Sequence, residues 1–214
     1  GLAVASIMVT IGNLSAFKSD RIVLFIAMLF SFPCLAWQMH SNGIDWATRF
    51  TETGLWLTVS ACFLVAILGW TMSPLRDTRR TAGWTLAVAL GAMAITLFVT
   101  NSARLGQVMA GSAAAALMTR VIDGDEAEQR IFAVGMGALV GGVVYAQAFM
   151  QLPSVAAVTI LIIPMLAIGA REDDERLHRF AAVFLALCLA AASIGIAVDA
   201  QQDRMGEEQT WESE

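Results

Sequence analysis

Three amide side chains, those of Asn13, Gln107 and Gln147, stand out chemically because each lies within a long uncharged run of the chain. A polar group in such a run is costly unless it forms hydrogen bonds. An amide both donates and accepts hydrogen bonds, so each could join neighbouring helices or contact a solute. Prolines within apolar runs kink helices, which opens space beside them. The candidates for a solute path are Asn13, Pro33, Gln107, Tyr145, Gln147 and Pro164.

Catalytic signatures are absent from the sequence. It contains no HExxH, GxSxG or GxxxxGK[ST] pattern, which are the marks of common hydrolases and nucleotide-binding proteins. The apolar runs hold no Asp, Glu, Lys, Arg or His well inside them, which argues against proton coupling and voltage sensing. Lys18, the only lysine, lies in a connection, so a retinal Schiff base is not expected. We predict no catalytic residue, no metal site and no cofactor.

Acidic residues cluster in the connections and near the C-terminus. Asp123-Gly124-Asp125-Glu126 could coordinate a hard cation, but it lacks the full EF-hand pattern and favours a solvated turn. Glu172-Asp173-Asp174-Glu175 lies among arginines and indicates a salt-bridged cap on the following helix. Residues 200–214 have the composition of a disordered segment, so an ordered tail would indicate a partner surface.

The overall composition is that of a membrane protein. Hydrophobic residues make up 57% of the 214 residues and charged residues 14%, whereas soluble domains carry about 25% charged residues. The mean hydropathy is +0.68. Apart from one shorter run rich in alanine and glycine, the uncharged runs are roughly 16–21 residues long, which is about one bilayer crossing each. The net charge is −5, and the sequence shows no basic face of the kind that binds nucleic acid.

The pattern predicts an all-α fold: a polytopic transmembrane bundle of about eight spanning helices. Residues 1–199 would form one helical domain and residues 200–214 an acidic tail. The runs are Leu2–Phe17, Ile22–Met39, Gly54–Met72, Thr81–Thr100, Leu105–Met118, Ile131–Met150, one that follows the turn at Leu152-Pro153 and ends near Ala170, and Phe180–Val198. Five tryptophans near the ends of these runs are typical of an interfacial belt: Trp37, Trp46, Trp56, Trp70 and Trp84.

The distribution of Lys and Arg predicts which loops face the cytoplasm. The basic loop Arg76-Asp77-Thr78-Arg79-Arg80 belongs inside. With eight crossings and an outside N-terminus, only Arg49, Arg104 and Arg204 lie outside, and the other ten of the 13 basic residues lie inside. If the fifth run did not cross, the balance would fall to six inside against seven outside. We therefore expect eight crossings, with both termini on the non-cytoplasmic side of a bacterial inner membrane.

Small residues recur at four-residue spacing in the fourth, fifth and sixth runs, a pattern that lets membrane helices approach closely. The glycines that we expect in these contacts are Gly83, Gly91, Gly106, Gly137 and Gly141. The pattern fits packing within the chain, a homodimer seam, or a docking face for another subunit.

The first hairpin resembles a known membrane family. Ser15-Ala16-Phe17-Lys18-Ser19-Asp20-Arg21, followed by an apolar run that ends at Ser41-Asn42-Gly43, is similar to the start of the YgjV-type bacterial inner-membrane family. That family is similar in plan to the small PQ-loop and SWEET-type transporters. Ser102-Ala103-Arg104 echoes Ser19-Asp20-Arg21 before a later run, although the Pro-Gln dipeptide is absent. The resemblance implies movement of a small neutral solute.

Two functional hypotheses follow. The first is a small permease for a neutral solute, with a path between kinked helices. The second is a non-catalytic accessory subunit of a larger membrane complex, which would dock through its small-residue helix faces and acidic tail. An intramembrane enzyme ranks third because no catalytic constellation is visible. The expected partners are the lipid bilayer and either a second copy of the chain or a larger complex.

Overall fold

The computed structural model describes residues 37, 39–52, 54–61, 79–100, 102–118, 125–169 and 176–211. Every regular element within these ranges is a helix, which confirms the predicted all-α class. The elements are α1 (Trp46–Glu52), α2 (Arg79–Val99), α3 (Ala103–Met118), α4 (Asp125–Met150), α5 (Ser154–Ile162), a 3₁₀ segment (Ile163–Gly169) and α6 (Arg176–Trp211). Residues 55–61 are also helical.

Helix α2 is the centre of the core. It contacts α3, α4, α5, the 3₁₀ segment and α6. Leu86, Leu90, Met93 and Leu97 on α2 are no more than 1% exposed. The large α2 side chains that stay exposed fall on one narrow stripe: Trp84, Ile95 and Phe98. The other helices therefore surround α2 on nearly all sides.

Helices α2 and α4 run parallel and meet at glycines seven residues apart. A Cβ atom placed on Gly135 would lie 2.8 Å from Leu86 Cδ2, and one on Gly142 would lie 3.5 Å from Met93 Cγ. The same atom on Gly142 would lie 2.7 Å from Met109 Cε of α3. Because Leu86 and Met93 are also seven residues apart, the two contacts define one register between the helices.

The predicted packing glycines divide into several kinds. A Cβ atom on Gly106 would lie 3.0 Å from the Phe98 ring and 3.1 Å from the carbonyl oxygen of Ala94, so α3 approaches the α2 backbone there. A Cβ atom on Gly91 would meet nothing within 4 Å, so Gly91 makes no close contact with another helix in the described part of the chain. Gly83 and Gly137 are half-buried and Gly141 is buried.

The connection from α4 to α5 is as tight as the sequence predicts. Gln151 adopts a positive φ of 56°, and the Leu152 N–H donates to the Ala146 carbonyl over 3.2 Å. Pro153 then precedes α5, where its missing N–H leaves no donor unsatisfied. Farther along, Pro164 lies in the 3₁₀ segment, which begins one residue before it. The expected distortion at this proline takes the form of a change in helix type.

Helix α6 has small residues on its buried face and large apolar residues on its exposed face. The buried residues are Ala186, Ala190, Ser193 and Ala197. The exposed large residues include Phe180, Phe184, Leu185 and Leu187. The helix continues past residue 199 to Trp211, so the predicted tail begins as an extension of α6 rather than as disordered chain.

One helix within the described ranges, Phe180–Gly206, is long and apolar enough to cross a membrane. Shorter apolar helices cover Gly83–Val99, Gly135–Met150 and Ser154–Leu166.

Replacing Gly106 with alanine should destabilise the bundle. The Ala94 carbonyl oxygen belongs to the rigid α2 backbone, so α3 would have to move away, and such overpacking costs about 1–3 kcal/mol. Gly111→Ala is the matched control on α3, because a Cβ there meets nothing within 4 Å and alanine favours a helix by about 1 kcal/mol. Thermal unfolding of the purified protein in detergent should show a lower Tm for Gly106→Ala than for Gly111→Ala. Equal Tm values would mean that α3 can move away from α2 without a loss of stability.

Candidate functional site

Arg204 joins the extension of α6 to the C-terminus of α4. Its Nη1 donates to the Met150 carbonyl over 3.0 Å, and its Nη2 donates to the Gln151 carbonyl. The last carbonyls of a helix lack partners within that helix and carry a partial negative charge. The planar guanidinium therefore caps α4 with two charge-assisted hydrogen bonds. We call this end of the bundle the Arg204 end.

The ends of other helices also lie at the Arg204 end. Thr100, directly after α2, donates its hydroxyl to Met150 Sδ over 3.4 Å. A Cβ atom on Gly54 would lie 3.1 Å from Ser154 Oγ at the start of α5. The end of α2, the turn between α4 and α5, and the start of the helix at residues 55–61 thus lie at one level.

The segment from Met39 to Glu52 begins with the C-terminal end of one helix and continues into α1. The Ile44 N–H donates to the Met39 carbonyl over 2.9 Å, and the Gly43 N–H donates to the His40 carbonyl over 3.0 Å. With Gly43 at φ 72°, this is a Schellman C-cap. Ile44 packs against the cluster of Met39 and Ala148, which also brings this segment to the Arg204 end.

Asp45 caps the next helix, α1. Its Oδ1 accepts from the Ala47 N–H over 3.1 Å, and its Oδ2 accepts from the Thr48 hydroxyl over 2.5 Å. The hydrogen bond from the Thr48 side chain, followed by that from the Ala47 backbone, holds the pKa of the exposed Asp45 carboxyl below its usual 3.8.

Buried polar side chains occur one helical turn below the Arg204 end. Thr58, Thr96 and Gln147 are each 0% exposed. Thr96 precedes Thr100 by four residues and Gln147 precedes Met150 by three, while Thr58 follows Gly54 by four. Because one turn rises about 5.4 Å, the three residues lie at one depth on three separate helices. We call Thr58, Thr96 and Gln147 the polar layer.

The predicted solute-path residues divide between this layer and other places. Gln147 belongs to the layer. Tyr145 is half-buried and stacks on Phe149 with ring centroids 4.7 Å apart, and its position two residues away turns it from Gln147. Gln107 lies at a similar depth but is exposed on α3. Pro164 is buried eleven residues along from Pro153, so it belongs to a deeper level.

Asn13 and Pro33 lie outside the described residues. The layer therefore contains one of the predicted residues and adds two threonines. Little in the sequence distinguishes Thr96 from Thr85 on the same helix, which is equally buried. Only its depth in the bundle, which is similar to that of Gln147 and Thr58, marks Thr96.

The polar layer is chemically neutral. Two hydroxyls and one amide donate and accept hydrogen bonds without carrying charge, so they suit an uncharged ligand. The described residues include no group of three or more His, Cys, Asp or Glu side chains that could hold a metal ion.

Comparison with known proteins adds no relative: the chain matches no protein-family model, no curated protein and no solved structure.

Replacing Arg204 with alanine should loosen the last turn of α4. The change removes two hydrogen bonds from a charged donor, each of which contributes about 1.5–3 kcal/mol when intact; partial exposure of Arg204 reduces the loss to about 1–3 kcal/mol in total. We expect faster amide hydrogen exchange at Phe149–Leu152 in Arg204→Ala. The matched control is Arg104→Ala, which removes an exposed arginine at the same end. Equal exchange in the two variants would exclude a capping role.

The cap on α1 should respond to acid. Because the folded-state pKa of Asp45 lies below 3.8, its contribution to stability is complete above pH 3.8 and is lost as the pH falls through the folded-state value. Amide exchange at Ala47 and Thr48 should therefore rise at low pH in the native protein. Asp45→Asn keeps a capping oxygen but does not titrate, so its exchange should lack that pH-dependent step. The same step in both proteins would assign it to another group.

Proposed function

We propose that the chain is an integral membrane protein of about eight spanning helices, residing in a bacterial inner membrane. Helix α6 supports this most directly, because its small residues are buried while Phe180, Phe184 and Leu187 are exposed. Only 22% of its most apolar window is buried. Large exposed apolar surfaces are unfavourable in water, whereas lipid accepts them and helices in lipid pack through small residues.

The lengths of the helices suit a bilayer. The uncharged stretches 81–99 in α2 and 180–198 in α6 would each rise about 28 Å, close to the roughly 30 Å of hydrocarbon. Helix α5 has only nine residues, but the seven residues of the 3₁₀ segment follow it. At about 2.0 Å per 3₁₀ residue, the pair reaches about 28 Å. The change in helix type thus lengthens a short apolar run.

The ends of the bundle support both termini being outside. Arg49, Arg104 and Arg204 are the basic residues assigned to the Arg204 end by sequence, and the other connections carry the remaining ten. The positive-inside rule then makes the Arg204 end non-cytoplasmic. Trp37 and Trp56 near this end and Trp84 near the other are 75%, 47% and 36% exposed, as befits interfacial anchors.

We propose that the protein is a permease for a small neutral solute. The observation that carries this proposal is the polar layer, in which three helices contribute buried, uncharged polar side chains at one depth. Such residues in a membrane bundle are costly, and they mark solute paths or bonds between helices. The resemblance of the first hairpin to the YgjV-type family points to the same function, although residues 15–21 lie outside the described ranges.

The extension of α6 favours the second candidate, an accessory subunit. Residues 199–214 contain six carboxylates and one arginine, which amounts to the whole net charge of −5, because the rest of the chain balances. Asp199 and Asp203 on the helical part are exposed. A helical extension with exposed carboxylates is a suitable contact for a basic partner subunit.

Flux measurements test the permease proposal. Liposomes containing the protein should shrink and recover faster than empty liposomes after osmotic shock with urea or glycerol, as measured by light scattering. Gln147→Met keeps the volume but removes the amide, and it should lower the flux about tenfold or more, since a lost hydrogen bond costs about 1–3 kcal/mol. Gln107→Met, an exposed amide at a similar depth, is the matched control.

Two results together would contradict the permease proposal. Native liposomes no faster than empty ones for any uncharged solute, together with stoichiometric recovery of one defined complex after gentle detergent extraction, would replace the permease by the accessory subunit. Recovery as a monomer or homodimer would remove that alternative.

A further inference from the structure

Hydroxyl side chains in these helices ordinarily donate to a carbonyl of their own helix one turn earlier, as is common for serine and threonine. Thr100 donates to the Thr96 carbonyl over 3.1 Å. The same arrangement occurs at Thr51, Ser60, Ser112, Thr159 and Ser193, with distances of 2.6–3.0 Å. A buried hydroxyl on a helix therefore has a nearby acceptor available at little cost.

Thr58 and Thr96 depart from this arrangement. Both side chains are 0% exposed, yet in the part of the chain that the structure describes, neither Oγ1 atom has a hydrogen-bond partner. Donation to the carbonyl four residues earlier, at Gly54 or Ala92, is not made. A buried hydroxyl without a partner is destabilising, and the described part of the chain has two of them, on two different helices.

Neighbouring residues indicate that Thr58 and Thr96 lie on the sides of their helices that face the core. Ala61, almost one turn beyond Thr58, packs against the main core that contains Leu97, so the helix at residues 55–61 runs into the bundle. Thr96 lies between Met93 and Leu97, which are fully buried on α2. Gln147, the third member of the polar layer, is also fully buried. Neither hydroxyl lies on the surface that faces lipid.

We propose that Thr58 and Thr96 are solute-binding residues, and that the solute is a small uncharged molecule carrying both hydrogen-bond donors and acceptors, as urea and glycerol do. A hydroxyl both donates and accepts, so each threonine can bond to a hydroxyl or amide of the solute. The neutral layer offers no counter-charge and therefore selects against ions. This inference rests on the proposed permease function and identifies its binding residues.

Valine has nearly the shape of threonine but lacks the hydroxyl, so Thr58→Val and Thr96→Val test the proposal. Each should lower the flux of urea and glycerol into liposomes about tenfold without raising the Tm. Thr159→Val is the flux control, because the Thr159 hydroxyl is already bonded to the Val155 carbonyl. A fall for one solute alone would show which hydrogen-bonding group the site recognises.

Measurements of Tm distinguish a hydroxyl that takes part in ligand binding from one that faces dry protein without a hydrogen bond. If the two hydroxyls faced dry protein, Thr96→Val would remove a destabilising group and raise the Tm by roughly 2–10 °C. Thr100→Val is the control on the same helix, and it should lower the Tm because it removes bonds to the Thr96 carbonyl and Met150 Sδ. A raised Tm for Thr96→Val, or unchanged flux in both threonine variants while native protein conducts, would overturn the inference. Native protein that conducts no uncharged solute would instead overturn the permease proposal, and with it the solute assigned to this site.

Discussion

Close packing around α2 is the constraint on which the rest of the structure depends. Three neighbours present small residues to the core: Gly106 on α3, Gly135 and Gly142 on α4, and the alanine face of α6. Small residues let helix backbones approach, so that dispersion contacts accumulate without help from charge. The large apolar side chains of α6 are left to face outward. In water that arrangement would be unfavourable, and in lipid it is the ordinary one.

The buried polar groups lie at several depths of the bundle. At the levels of Leu86 and Met93, apolar side chains of α2 contact glycines of α4. Among the described residues, Thr58, Thr96 and Gln147 are buried polar side chains toward the Arg204 end, and Thr85 and Ser193 are buried farther from it. Directly above the polar layer, the Arg204 guanidinium joins α6 to the end of α4. The polar layer thus lies between the apolar contacts at Gly142 on one side and the Arg204 cap on the other.

Several particular predictions could be made without the structure, and others could not. The uncharged apolar runs predict the all-α class, and Leu152-Pro153 predicts the turn between α4 and α5, because proline cannot continue the preceding helix. It was harder to predict which glycines make close contacts between helices. Gly135 and Gly142 make close contacts with α2, and a spacing pattern alone does not identify them, since the face that meets a neighbour depends on how that neighbour crosses. For the candidate site, Gln147 was predictable as a costly amide, whereas the depth that it shares with Thr58 and Thr96 was not.

By itself, the sequence determines the helical class, the approximate ends of the helices and the uneven distribution of charge, because these depend on the transfer energies and backbone preferences of neighbouring residues. The tertiary structure decides which residues share a depth and which hydroxyls lack a partner, because both depend on the register between helices that are distant in the chain. Thr96 and Gln147 are about fifty positions apart, and only the parallel packing of α2 against α4 brings them to one level. Arg204 likewise acquires its role as a cap only when α6 lies beside the end of α4, since a guanidinium needs those carbonyls within reach of its two donors.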